Sequence, residues 1–443
     1  MNKFIQPDGK VILAQTRLTR QQTEAVGLLS IGTFLEYFDL MLYVHMAVLL
    51  NDLFFPEYDP FTKKLLSALT FCSTYVLRPF GALLFGYIGD YIGRKAVVIV
   101  TTFLMGVCCI TIATIPTYAE IGITASWVLI ACRMIQGMAA TAEVRGAEIY
   151  LTESSKPPIQ YSLVSLITVF SAVGTTAALG VASIFTSMGN QNQSSWRLAF
   201  WVGAGIALVG SVARTSLKEA AEFTNKKKRL QERLTENKVE FTEINKDILD
   251  QDVPVLTSIA YLCIQCARPP CFYFVYIYCG DILKHDCGFS PNQVITQNFW
   301  VSIVDFLGIL GLTYLAYIMH PLKILKWKLY LFLITIILFS IVVSYTLNPN
   351  YIFVFQCLAA LFVFDHVPAS PIFYKYFPIF KRFTYTSILS AVAKLCTYGI
   401  VSIGLAYTTE HLGPGKGLLI IIIPVAIGFF MGVTYFEKME KKY

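Results

Sequence analysis

Eleven ionisable residues stand inside long apolar stretches of this sequence. They are Glu36, Asp39, Arg78, Arg133, Glu143, Arg145 and Glu148 in the first half, and Arg268, Asp305, Asp365 and Lys394 in the second, with His366 beside Asp365. An ionisable side chain at the centre of a bilayer costs at least about 2.5–3.5 kcal/mol. Such groups are kept where they face a cavity or an opposite charge, so these residues mark a path, a binding site or a set of buried ion pairs. Five are cations and six are carboxylates, which leaves one carboxylate to hold a proton. Glu36 and Asp39 are three residues apart and share a helix face. Neighbouring carboxylates repel, so one takes up a proton readily; the bland alternative is that each pairs with an arginine. Arg133, Gln136, Ala140 and Glu143 fall on one helical stripe about 80° wide, fit to line a cavity. Arg133 suits a bidentate grip on a carboxylate and equally a permanent salt bridge to the helix carrying Asp39. Arg145 lies two residues past Glu143. Arg268 precedes Pro269-Pro270, which predicts a kinked or unwound turn. Arg268, Asp305 and Lys394 fall near mid-depth and Asp365 slightly inward, and these charges are expected to pair with one another.

The elements that position these groups are apolar runs. Hydrophobic residues make up 56% of the 443 and charged residues 14%, against about 25% charged in ordinary globular domains. That excludes a disordered chain, an ordinary soluble enzyme and a nucleic-acid binder with a basic face. Twelve runs are long enough to cross hydrocarbon as helices: 24–50, 65–88, 96–115, 121–150, 161–188, 196–213, 254–283, 294–319, 329–347, 351–374, 384–409 and 417–436. None alternates with period two, so a barrel is excluded. With the N terminus inside, the outside carries only Lys63, Lys64, Arg197, Lys284 and Lys416, and most other Lys and Arg fall in inside loops. The positive-inside rule therefore places both termini in the cytoplasm. The expected organisation is a cytoplasmic segment 1–23, a six-helix bundle 24–213, a charged linker 214–252 holding the basic run Lys226–Arg229, a second six-helix bundle 253–436 and a tail 437–443. The fold class is thus an all-α polytopic membrane protein of twelve helices in two bundles.

Other chemistries find little support. Cys263-x-x-Cys266 has metal-ligand spacing but sits in an apolar run with no second pair, and reads as packing. No G-x-x-x-x-G-K-[ST] loop occurs, so ATP drive is not indicated. No metal site, cofactor site or catalytic constellation stands out, and an enzyme is the least favoured class.

Between the second and third runs stands Gly86-Tyr87-Ile88-Gly89-Asp90-Tyr91-Ile92-Gly93-Arg94-Lys95. This loop resembles the G-x-x-x-D-x-x-G-R-K signature of the major facilitator superfamily. The resemblance implies a cytoplasmic gate latched by Asp90, Arg94 and Lys95, with Gly86 and Gly93 allowing close packing and a tight turn. A narrower similarity is to the metabolite:proton symporter branch, which includes proline/betaine, 2-oxoglutarate, citrate and shikimate carriers. It rests on the stretch around Glu36 and Asp39, on Arg78-Pro79-Phe80-Gly81, on Arg133-x-x-Gln136-Gly137 with Glu143, on Trp196-Arg197, and on Phe377-Pro378 through Arg382-Phe383-Thr384. Thr141 and Ala142 replace two glycines of that branch. No second-half copy of the loop is present at Met319–Lys323, and Lys394 stands where the branch is small or apolar. The resemblance implies a secondary active transporter in a prokaryotic cytoplasmic membrane. It would import a small polar organic solute with a proton, as a monomer, with no cofactor and no nucleic-acid partner. An exchanger or uncoupled facilitator of the same fold is the second reading. A transport-inactive sensor or scaffold is the third.

Overall fold

The structure is a computed structural model and describes residues 3–5, 11–13, 15, 17–54, 75–188, 196–215, 253–412 and 414–442. The basic run Lys226–Arg229 and nearly all of the expected linker lie outside the described residues, as do the side chains of Arg94 and Glu143.

The first half consists of α1 (Arg20–Phe54), α2 (Arg78–Tyr91), α3 (Arg94–Thr114), α4 (Ile123–Ser154), α5 (Ile159–Met188) and α6 (Trp196–Arg214). The second half begins with α7, a broken element of Val255–Gln265, Arg268–Phe272, a π-helical turn Tyr273–Tyr278 and Cys279–His285. It continues with α8 (Pro291–Ile318), α9 (Pro321–Tyr345), α10 (Pro349–Leu361, resuming at Ser370–Tyr374), α11 (Ile379–Leu412) and α12 (Pro414–Lys442). Among the described residues, eight helices are long and apolar enough to cross a membrane: α1, α3, α4, α5, α6, α8, α9 and α12.

The break in α7 falls where Pro269 and Pro270 remove two backbone donors; they occupy the first turn of the second segment. The run expected to be continuous over 351–374 is not. It breaks between Leu361 and Ser370. Asp365 Oδ1 accepts a hydrogen bond from Val367 N at 3.2 Å, a local side-chain turn that competes with the helix, and Pro368 disfavours helical geometry at the residue before it. A short antiparallel ribbon pairs Lys3–Ile5 with Val11–Leu13 ahead of the first helix, and the bundles themselves are all helical. Two boundaries shift. Arg214 is the last residue of α6 rather than linker, fully buried and donating to Leu28 O and Leu29 O at 2.7 Å each. The expected tail continues α12 to Lys442, held by the ion pair of Glu437 with Lys326.

Helix packing relies on small residues that let backbones meet. Within the first half α1 lies on α5 and α3 on α6; between the halves α5 packs on α8 and α2 on α11. A Cβ on Gly174 would come within 2.4 Å of Phe34 O, and one on Gly81 within 2.5 Å of Met138 O. Gly174→Ala must therefore push α5 off the α1 backbone. It is expected to destabilise by about 1–3 kcal/mol and to lower the melting temperature in detergent by several degrees. An unchanged melting temperature would show that the contact yields freely.

Candidate functional site

Three buried clusters and one latch hold the expected residues. In the first half, α1 and α4 cross so that Asp39 is fully engaged. Its Oδ2 accepts from Arg133 Nη1 at 2.7 Å and its Oδ1 from Gln136 Nε2 at 2.8 Å. Arg133 Nη1 also donates to Gln136 Oε1 at 2.8 Å, and the guanidinium lies 4.2 Å over the Tyr43 ring. All three polar residues are buried. The salt-bridge reading of Arg133 is thus realised in this state, although its Nε is buried without a hydrogen bond. Glu36 shares its surroundings with Tyr37, Tyr75 and Lys394. Lys394, on α11, is half-buried and also shares its surroundings with Arg78, Arg145 and Arg268. The Arg78 guanidinium stacks 4.4 Å over Tyr75, and its Nε makes no hydrogen bond.

The second cluster bridges the halves. Arg145 on α4 donates through Nη1 to Glu148 Oε2 at 2.6 Å and to Tyr374 Oη at 2.7 Å, and Nη1 lies 3.0 Å from His366 Nε2. Its Nη2 donates to Gln265 Oε1 at 2.9 Å and Ser390 Oγ at 3.1 Å. Tyr374 Oη donates to Glu148, whose Oε1 lies 3.2 Å from His366 Nε2. One guanidinium thereby ties α4 to α7, α10 and α11. Gln265, Tyr374 and Ser390 were not legible as site residues, because neutral polar residues in apolar runs give no spacing signal.

The third cluster sits where the breaks of α7 and α10 face each other. Arg268 Nη1 donates to Asp365 Oδ2 at 2.9 Å, and Lys328 Nζ lies 3.8 Å from Asp365 Oδ1. Lys328 is therefore an interior charge on α9 and not the inside-loop residue that its neighbours Lys323 and Lys326 suggest. Counting it gives six interior cations to six carboxylates, so charge counting no longer singles out a protonated acid. Asp305, expected to pair, makes no ion pair within 4.0 Å among the described residues. It lines a cavity with Arg268, Lys328, Asp365, Tyr276 and Phe272. The empty space there, about 570 Å³, includes volume open to solvent.

The latch lies at the end of the helices where α2 meets α11. Asp90 Oδ2 accepts from Thr384 N at 2.9 Å and Thr384 Oγ1 at 2.6 Å, and Oδ1 accepts from Phe383 N at 3.2 Å. A Cβ on Gly86 would stand 2.8 Å from Thr384 Cα, so only glycine lets the two halves close here. Gly93 has φ 145°, a region where side chains are strained. Arg382 Nη1 donates to Glu153 Oε1 at 3.1 Å and adds a second inter-half tie. Lys95 Nζ donates to Thr215 O at 2.7 Å, within the first half.

Two helical bundles joined by interior ion pairs and a close glycine-lined contact define a class: a multi-pass membrane protein of two packed halves. The Major Facilitator Superfamily profile matches residues 29–393, and the chain belongs to that family. The proline/betaine transporter of Salmonella typhimurium is 28% identical over 274 residues, 61% of this chain and 54% of that protein. The inner membrane metabolite transport protein YhjE of Escherichia coli K12 is 33% identical over 197 residues, 44% of this chain and 45% of that protein. The chain spans about half the length of these curated relatives. Among solved structures, the proton:xylose symporter XylE bound to 6-bromo-6-deoxy-D-glucose superposes with a TM-score of 0.76 at 13% identity, covering 94% of this chain and 95% of that one. That likeness is one of fold.

Proposed function

We propose that this chain is a secondary active transporter that imports a small polar organic solute with a proton by alternating access. The solute is a zwitterionic osmolyte such as proline or betaine, or a carboxylate. The observation that carries the reading is the arrangement of interior charge. Buried ion pairs join the two bundles between apolar helices, where lipid alone would exclude charge, and one cluster opens into a cavity. The relatives named as proline/betaine transporters favour the osmolyte. The loop charges assign the Asp90 end to the cytoplasm, so this state is closed inward and takes solute from outside. The chain acts as a monomer in the bilayer, with no cofactor.

The proton-accepting role is proposed for the pair Glu36 and Asp39, with Arg133 and Gln136 engaging Asp39 and Lys394 near Glu36. The test is solute-driven proton uptake by purified protein in proteoliposomes. Wild type is expected to take up protons with solute, and Glu36→Gln to keep solute exchange while losing at least about tenfold of proton-driven accumulation. Unchanged coupled uptake in both Glu36→Gln and Asp39→Asn removes the proton role from this pair. The engagement of both Asp39 oxygens favours one second reading, an exchanger in which the pair is structural. Flux that ignores a pH gradient but requires solute on the trans side would establish it.

A further inference from the structure

His366 stands in the break of α10, between Leu361 and Ser370, and is buried. Its Nε2 lies 3.0 Å from Arg145 Nη1 and 3.2 Å from Glu148 Oε1, both on α4 of the other half. A guanidinium only donates and a carboxylate only accepts. One ring nitrogen between them therefore serves one or the other: bare, it accepts from Arg145; carrying a proton, it donates to Glu148. The other polar groups around it are Asp365 and Tyr374 on α10, Tyr261 and Gln265 on α7, Ser390 and Lys394 on α11, and Lys328 on α9. Glu148 is already paired with Arg145, and Asp365 already faces Arg268 and Lys328. Two carboxylates thus meet three cations, with Lys394 beyond Arg145. A proton on His366 adds a further cation that has no carboxylate of its own, and a buried charge without a partner is expensive. The residues on either side of it, Asp365 and Val367, line the cavity, so the ring stands one residue from the cavity wall while its side chain ties the break to α4.

We propose that His366 is a proton-binding site of this transporter, and that taking up the proton releases the contact between the halves. In the closed state the ring is neutral and sits beside the Arg145–Glu148 pair. Protonation places a second cation 3.0 Å from Arg145 in a buried site, and parting of the halves is what lets water reach it. Proton uptake therefore shifts the population toward the open form, and acidification favours opening of the Asp90 end. This site is separate from Glu36 and Asp39: it lies in the second half, and it acts on the contact between the halves through Arg145 and Glu148. The inference rests on the transporter reading above and names where a proton acts on its gate.

The experiment is pulsed EPR on the protein in lipid nanodiscs, which reads the halves directly and requires no transport. Spin labels on Ile92→Cys and Tyr385→Cys, two exposed residues flanking the contact of Asp90 with Thr384, report its opening. Between about pH 8 and about pH 5, the range over which histidine changes charge, the closed-to-open ratio of the labelled parent is expected to fall at least about tenfold; a single proton allows at most about tenfold per pH unit. His366→Gln keeps an acceptor for Arg145 but takes no proton, and is expected to stay closed throughout. Populations that ignore pH in the labelled parent overturn the proposal without any variant. A pH response in His366→Gln equal to that of the parent overturns it as well. Should His366→Gln fail to fold, His366→Asn gives the same comparison. In proteoliposomes His366→Gln is expected to lose at least about tenfold of proton-driven uptake; uptake as in the parent refutes the proposal and leaves the transporter reading standing. No uptake of any solute by wild type defeats the transporter reading itself, while the EPR populations still decide on His366.

Discussion

Arg145→Ala is expected to be the most damaging substitution in the chain. The guanidinium donates to Glu148, Tyr374, Gln265 and Ser390, and its removal strands a buried carboxylate in a site closed to water. Breaking a buried pair by removing one partner costs about 3–5 kcal/mol, a large share of the total stability of an ordinary fold. The Arg145→Ala protein is expected to lose most of its folded yield, with transport falling in proportion. Arg145→Lys keeps the charge but loses the fork that reaches Gln265 and Ser390, and should fall between. The decisive comparison adds Glu148→Gln to Arg145→Ala. Removing the stranded charge is expected to recover part of the stability, with a coupling of about 0.5–3 kcal/mol. Thermal or denaturant melting in detergent measures it. Strictly additive losses would mean that the pair is not coupled.

Asp90→Ala is expected to act on the conformational equilibrium instead. The three hydrogen bonds that Asp90 accepts from Phe383 and Thr384 exist only while α2 and α11 touch. Hydrogen bonds to a charged group contribute about 1.5–3 kcal/mol each, so even one lost bond shifts the closed-to-open ratio by more than about tenfold. A cysteine placed at Thr384 in an Asp90→Ala background is expected to react with a water-soluble maleimide at least about tenfold faster than the same cysteine with Asp90 retained. Asp90→Glu should not restore closure, because the contact at Gly86 leaves no room for another methylene. Equal reaction rates would show that Asp90 does not hold this end shut.

Much of this arrangement was legible from the sequence, and the failures share a physical origin. The break of α7 was readable because Arg268-Pro269-Pro270 removes donors in series. The break of α10 was written in Asp365 and Pro368, but the run is apolar on both sides and composition hides a local turn. Lys328 was missed because it stands one residue before the apolar run 329–347 and follows Lys323 and Lys326, which mark a loop by charge alone. The helix starts at Pro321, and its winding carries Lys328 to Asp365 while Lys326 reaches Glu437. Arg133 with Asp39 was foreseen as one of two alternatives. Arg145 was foreseen as an interior charge, but apart from Glu148 its partners come from the other half, and no spacing within one chain segment encodes that. The loop motif marked Asp90 and Gly86 as the place for a close contact, and the structure shows them touching Phe383 and Thr384.

The central claim is that the two halves part at the Asp90 end during each transport cycle. Glu153 and Arg382 face one another across that end at 3.1 Å. Cysteines placed at both positions and joined by a short reducible cross-linker fasten the halves together. With the bridge confirmed by mass spectrometry, solute uptake into proteoliposomes is expected to stop and to return on reduction. Uptake at an undiminished rate with the bridge intact would contradict alternating access at this end.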